Sequence, residues 1–218
     1  QIRDLTLVYN HYTRLDQRPA HLTRRFVCLG NYVDGGSHAV HVLMLLFAMK
    51  IRCPTSVILL RGNHEIRSVN AVNGFKAELE QRFTQEQATE LFERFNEVFD
   101  HIPLACLIDD QILCVHGGIS PALNSLDDIL DIPKPLKHPN RHQLACDLLW
   151  ADPMIGLRGF IPNEARGRSV YFGANVLQSK LWRLGVTKIV RGNEIIYKGY
   201  SSIHRAKLIT INTVSGFH

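Results

Sequence analysis

The chain has 218 residues, 45% of them hydrophobic and 21% charged, an average globular balance that excludes a disordered, collagen-like or coiled-coil chain. Its net charge of +5 is mild, and no basic run exceeds the pair Arg24-Arg25, so nucleic-acid binding is not expected. The longest apolar stretch, Val42 to Met49, is eight residues, far short of the roughly 20 that span a membrane.

Five cysteines (Cys28, Cys53, Cys106, Cys114 and Cys146) are odd in number and form no C-x-x-C pair. Cys28, Cys106 and Cys114 lie in apolar runs. They read as buried free thiols of a reducing compartment, which predicts an intracellular protein of the cytoplasm and/or nucleus. The first residue is Gln1, not methionine, and the chain is expected to be a fragment.

In chain order, Leu5, Val8, Tyr12 and Leu15 recur at helical spacing. A short apolar strand, Arg25 to Leu29, runs into the turn Gly30-Asn31-Tyr32-Val33-Asp34-Gly35-Gly36. Ser37 is the expected cap of a helix over His38 to Lys50, with Val42, Leu43, Leu46 and Met49 on one face. Ser56 to Leu60 reads as a buried strand, completing a β–α–β unit with parallel strands and ligand-binding turns at their C-terminal ends.

Two helices follow. The second opens at Thr84 with Gln87 three residues on, a capping-box spacing, and turns Leu91, Phe92, Phe95, Val98 and Phe99 inward. Leu104 to Ile108 and Ile112 to Val115 form a hairpin turned by Asp109-Asp110-Gln111, delivering His116-Gly117-Gly118. Ile132 to Pro139 is a proline-rich loop. A short helix ends in Leu148-Leu149-Trp150, and a glycine-bearing loop leads to Tyr171-Phe172 and a helix over Ala174 to Leu184. Lys188 to Val190, Ile195 to Tyr197 and Lys207 to Ile211 are the closing strand candidates. No composition shift divides the chain, so residues 1–218 are expected to form one mixed α/β (α+β) domain.

Chemistry concentrates at the strand ends. An Asn63 carbonyl can ligate a metal while His64 faces substrate as a proton donor. Asp34 can hydrogen-bond His64 and hold it protonated, the pairing a general acid needs. His116 leaves its strand beside two glycines that admit close approach, and Arg166 is a candidate fork for phosphate oxygens.

Leu59-Leu60-Arg61-Gly62-Asn63-His64-Glu65, His116-Gly-Gly-Ile-Ser-Pro121, Asp147-Leu-Leu-Trp-Ala-Asp-Pro153 and Arg166-Gly-x-Ser-x-x-Phe-Gly173 together resemble the serine/threonine phosphoprotein phosphatases, and within them the type 1 enzymes. The resemblance runs from Gln1 to about Phe217. It implies a calcineurin-like metallophosphoesterase fold, a central β-sandwich flanked by helices, with the first strand and last strands expected to be missing. It also implies two divalent metals (manganese, iron or zinc) sharing a bridging hydroxide that attacks phosphorus in line. The implied partners are phosphoprotein substrates or regulatory subunits. On this basis His64 and Asp34 are the catalytic candidates, Arg166 the phosphate contact, and Asn63 and His116 the metal ligands, with Asn31 and Asn193 as weaker ones.

This copy departs from the family pattern at several places. The motif Gly-Asp-x-His-Gly would lie ahead of Gln1. Asn31 stands where a metal-bridging carboxylate belongs, and a neutral amide is a poor bridge between two dications. Gly35 replaces a phosphate-clamping arginine. Asn193, in Arg191-Gly192-Asn193-Glu194, replaces a histidine ligand, and Phe217 lacks a tyrosine hydroxyl. The expected outcome is a phosphatase fold with weak or absent turnover that acts by binding. The alternative is a working metal-dependent phosphatase whose asparagines ligate through carbonyl oxygen.

Overall fold

The parallel unit read from the sequence is present. In the computed structural model, which describes residues 2–16 and 24–214 with side chains of the opening helix through residue 11, β1 (Phe26–Cys28) and β2 (Val57–Leu59) pair in parallel, Phe26 opposite Val57 and Cys28 opposite Leu59. Helix α1 (Ile2–Asp16) precedes them and α2 (Ala39–Arg52) crosses between them. Leu5 of α1 packs inward, but Val8 is exposed; the Tyr12 and Leu15 side chains, like Phe217, lie outside the described residues.

Ser37 does not cap α2. Its hydroxyl contacts His38, and the carboxylate of Glu78 accepts from the Ala39 and Val40 amides at 2.7 and 3.2 Å. Glu78 belongs to α4 (Phe75–Arg82), which follows the short α3 (Arg67–Asn70). A carboxylate at a helix N-terminus satisfies orphan amides and meets the positive end of the dipole. Because it comes from another helix, this cap also fixes how α2 and α4 sit together, which no local reading of Ser37 could reveal.

Helix α5 (Gln85–His101) starts with both capping-box bonds, Thr84 N–H to Gln87 and Gln87 N–H to Thr84. It buries Phe92 and Phe99 and packs Leu91 and Phe95 at the margin, while Val98 is exposed. Six residues beyond Phe92, Val98 has turned about 240° around a 3.6-residue helix and faces away. Phe75 sits among Phe92, Phe95 and Phe99 with ring centroids 6.3, 5.5 and 6.1 Å away; such pairs add about 0.5–1.5 kcal/mol each beyond area burial. This cluster closes one core, over β1 and β2.

The second core lies around a mixed five-stranded sheet, in spatial order β3 (Ala105–Ile108), β4 (Ile112–Val115), β8 (Lys188–Arg191), β10 (Leu208–Ile211) and β9 (Tyr200–Ile203). Hairpin β3 (Ala105–Ile108) and β4 (Ile112–Val115) turns through Asp109 and Asp110, both with positive φ, and the Gln111 amide donates to Ile108 O at 3.0 Å. That is the turn whose twist suits a tight hairpin. Strands β8 (Lys188–Arg191) and β10 (Leu208–Ile211) run parallel, as do β4 and β8.

The third strand of this closing group is not Ile195 to Tyr197. Those residues form an exposed loop, and β9 is Tyr200–Ile203, antiparallel to β10. Gly199, at φ +81, makes the turn before it. The apolar run of Ile195 to Tyr197 misled because side chains alone do not say which residues find a hydrogen-bonding neighbour.

Helices α7 (Gln143–Trp150) and α8 (Ala174–Leu184) cover the second core, after the short α6 (Asp127–Leu130) and the turn Pro139–Arg141. Between α7 and α8 the glycine-bearing loop holds a small sheet unseen in the sequence: β5 (Asp152–Pro153), β6 (Phe160–Pro162) and β7 (Val170–Phe172), ordered β5-β7-β6. Strands of two or three residues are too short for alternation to register. The sheets are flanked by helices as expected; among the described residues they are a parallel pair, a mixed five-stranded sheet and this small sheet. Among the described residues no helix is long and apolar enough to cross a membrane.

Replacing Glu78 tests the tertiary cap. We expect Glu78→Ala to lower unfolding free energy by about 1–2 kcal/mol and Glu78→Gln, which keeps one acceptor, to cost less; urea unfolding of both variants checks the order.

Candidate functional site

The turns after β1, β2, β4 and β8 meet at one end of the two sheets. Gly30 and Gly62 lie back to back there: a Cβ on either would strike the other turn's backbone or the Asn31 side chain. Only glycine allows that approach, and Gly30 also has φ +101. Asn31, Asp34 and Asn193 all sit in the left-handed region, at φ 61, 70 and 62, where Asn and Asp are the best-tolerated side chains after glycine.

Glu65, buried completely, holds the first two turns together. Its carboxylate accepts from the backbone amides of Asn31 (2.7 Å), Tyr32 (2.7 Å), Val33 (3.3 Å) and Gly62 (2.9 Å). Burial pushes its carboxyl above the usual range, and the amide bonds pull against that. In the sequence Glu65 is only the last letter of a motif, and nothing in its neighbours announces that three of its four partners lie 32 to 34 residues away.

Asp34 and His64 pair as predicted. The His64 Nδ1–H donates to Asp34 Oδ2 at 2.7 Å, while Asp34 Oδ1 accepts from the Phe75 amide at 2.8 Å. The carboxylate is nearly fully buried and anchored, and the ring, about a third exposed, turns its Nε2 to the cleft.

His116 donates Nδ1–H to Leu29 O at 2.6 Å. Its Nε2 then carries a lone pair, is buried, and has no partner among the described residues. Burial is the main reason its pKa falls to about 3, so the ring is neutral. Asn63 shows the same pattern: Nδ2 donates to Asn193 Oδ1 at 2.6 Å, and Oδ1 is buried without a partner.

The remaining candidates are already engaged. Asn31 Oδ1 accepts from the His64 amide at 3.1 Å, and Asn193 Nδ2 donates to Asp152 Oδ1 at 3.0 Å. Arg166 gives Nε to Asp152 Oδ2 at 2.9 Å and Nη2 to Asn193 O at 2.8 Å, so its fork is partly spent on an ion pair. Asp152, which the sequence reading passed over, also receives Arg191 at 2.7 Å and Asn163 at 3.2 Å. Arg191 is fully buried and is held by Asp152, Glu194 and the carbonyls of Gly117 and Ala151.

All seven residues singled out from the sequence, with Gly35, line one cavity of about 530 Å³, whose other walls carry the apolar Leu5, Val27, Val42 and Leu46 and also Asp4 and Glu194. Of the metal candidates, Asn63 Oδ1 and His116 Nε2 are orphaned acceptors that a cation or a donor could satisfy. No three His, Cys, Asp or Glu side chains among the described residues converge on a metal position. Two neutral donors with no carboxylate between them do not fit a bridged pair of dications, which calls for anionic oxygen as well as imidazole.

A family model for the calcineurin-like phosphoesterases matches residues 7–196. The chain belongs to that family. It is 38% identical over 186 residues to the serine/threonine-protein phosphatase PP1-delta of Caenorhabditis elegans, covering 85% of this chain and 59% of that protein. A solved serine/threonine phosphatase from Saccharomyces cerevisiae, described as similar to human phosphatase PP5, superimposes with a TM-score of 0.77 at 31% identity, covering 86% of this chain and 57% of that one. The chain is thus a serine/threonine protein phosphatase family member that spans a little under three-fifths of the relatives it matches. The family works with divalent metals.

Two outcomes follow from the buried groups. Glu65→Gln leaves one acceptor for four amides and should cost at least about 2–3 kcal/mol of stability, read by denaturant unfolding. Burial depresses the His116 pKa to about 3 in the fold, against the ordinary histidine value of 6.5. Between these values the unfolded chain binds the extra proton, so stability is full above pH 6.5 and is lost as pH falls. The loss should reach about 2 kcal/mol by pH 5, and His116→Gln should flatten that part of the profile.

Proposed function

We propose that this cleft binds phosphoserine or phosphothreonine carried on proteins and hydrolyses it slowly or not at all. The observation that carries this reading is the neutral donor set: Asn31, Asn63, His116 and Asn193 occupy the cleft with no carboxylate among them, and two of the amide oxygens already accept internal hydrogen bonds. Losing one preorganised electrostatic group typically costs about 10²–10³ in rate, and disturbing ligand support about 10–100-fold in metal affinity. Here a bridging position, a terminal position and a phosphate arm are all altered.

The same substitutions favour binding without metal. A carboxylate about 4 Å from a phosphate oxygen would repel it by about 4 kcal/mol at an effective dielectric of 20. Asparagine at 31 removes that repulsion, and His64 and Arg166 remain as donors on the cleft wall. The partners in this reading are phosphoproteins or regulatory subunits. The place is the cytoplasm and/or nucleus, supported by five free cysteines, two of which, Cys28 and Cys106, are half-buried where the sequence suggested burial. Residues 1–218 act as one domain.

The orphaned Asn63 Oδ1 and His116 Nε2 favour a second reading, an active phosphatase that loads manganese, iron or zinc and uses the asparagine carbonyls. One preparation separates the two. Metal per chain, phosphopeptide affinity and phosphopeptide hydrolysis are measured with manganese on the parent and on Asn31→Asp plus Gly35→Arg. Gly35 has open space around its Cβ position and no positive φ, so a side chain can start there without backbone strain. We expect a metal-poor parent that prefers phosphorylated over unphosphorylated peptide, and at least a 10-fold rise in turnover in the variant. Two metals and real turnover in the parent, abolished by Asn63→Ala, would establish the second reading; absence of any phosphate preference would remove the first.

A further inference from the structure

The β3–β4 hairpin sets two of the five free cysteines directly opposite each other: Cys106 pairs with Cys114 in the antiparallel register. Opposed antiparallel residues hold their Cα atoms about 4.5–5.5 Å apart, inside the 4.4–6.8 Å or so that a disulfide spans, and their side chains leave the same face of the sheet. That face is turned away from the larger core, which takes Leu113 and Val115 of β4 and Ala105 and Leu107 of β3. Strand β3 is an edge of the five-stranded sheet, so Cys106 is half-buried while Cys114 beside it is buried. Cys28 faces Leu59 in its own strand pair, and Cys53 and Cys146 lie outside the strands.

We propose that Cys106 and Cys114 form a reversible cross-strand disulfide when the protein meets a peroxide-class oxidant, with the more accessible Cys106 attacked first and Cys114 resolving it. The Cys106 thiolate attacks one peroxide oxygen; an S–O bond forms, the O–O bond breaks and hydroxide leaves. The Cys114 thiolate then attacks the Cys106 sulfur; the S–S bond forms, the S–O bond breaks and a second hydroxide leaves. The two thiol protons convert the hydroxides to two waters, the sulfur pair gives up two electrons and the peroxide gains them.

Burial pushes both thiols up, Cys114 to about 12 with the neighbouring Cys106 as the second cause. A half-buried thiol holds little thiolate at neutral pH, so the first step is slow. The bridge would close a loop of nine residues, Cys106 to Cys114. It would also tie the edge strand to the strand that delivers His116 two residues later. The inference rests on register alone and is independent of what the cleft binds.

The test is hydrogen peroxide treatment of the folded chain, followed by alkylation of remaining thiols and non-reducing peptide mapping by mass spectrometry. The expected result is a linked Cys106–Cys114 peptide about 2 Da lighter than its two free-thiol parts, reversed by dithiothreitol, with Cys28, Cys53 and Cys146 alkylated. Cys106→Ala, at a half-buried edge position, should abolish the linked species without touching the other three. Alkylation of both Cys106 and Cys114 after treatment, sulfinic acid at Cys106 with no linked peptide, or a bridge from Cys106 to another cysteine would overturn the proposal.

Discussion

A single buried carboxylate organises the business end of the molecule. Glu65 collects four backbone amides from two turns that follow different strands, and those turns carry Asn31, Asp34, Asn63 and His64. Left without an acceptor, each buried amide would cost about 1–3 kcal/mol, so the turns are held as one body. The glycines extend the constraint, because Gly30 and Gly62 can meet backbone to backbone only while Glu65 holds the register between them. His116 joins through Leu29 O, the last residue before the first turn, so the third strand end is fastened to the same frame.

A second carboxylate does comparable work on the far wall. Asp152 takes Arg191, Arg166, Asn163 and Asn193 at once. With two guanidinium groups on one carboxylate, the local charge is more than balanced, and burying Arg191 completely becomes tolerable because every side has an acceptor. Asn193 serves as the link between the walls: it gives its amide to Asp152 and accepts from Asn63. The asparagines are therefore not idle; Asn193 joins Asn63 to Asp152, and Asn31 holds the His64 amide.

Much of this was readable beforehand, and the pattern of what was not is physical. The strand-end motifs placed every candidate side chain in one cavity because a parallel β–α–β unit leaves its turns at the same end. The Asp34–His64 pair was legible since both members lie in those turns. What escaped was action at a distance. Glu78 capping α2 from α4, Glu65 gathering amides and Asp152 pairing with Arg191 39 residues on leave no local periodicity. The small β5–β7–β6 sheet and the displacement of β9 to Tyr200–Ile203 escaped for a related reason: short strands exist by virtue of their partners, and side-chain alternation says little about them.

The division between what is kept and what is altered has its own logic. Carboxylates that bind backbone amides or buried arginines, such as Glu65, Asp100 beside Arg61 and Asp152, hold the fold, and removing one strands partners in the interior. Asn31 and Asn193 face the cleft, and their amides keep internal hydrogen bonds to His64, Asn63 and Asp152, so an amide at either place leaves the frame intact. Asn31 even keeps the left-handed backbone that an aspartate could also adopt. The scaffold around the cleft thus stands on Glu65 and Asp152 and does not depend on charge at positions 31 and 193. Within the cleft Asp34 is paired with His64, Arg166 with Asp152 and Glu194 with Arg191, so the frame built by Glu65 and Asp152 presents a site whose charges are already held.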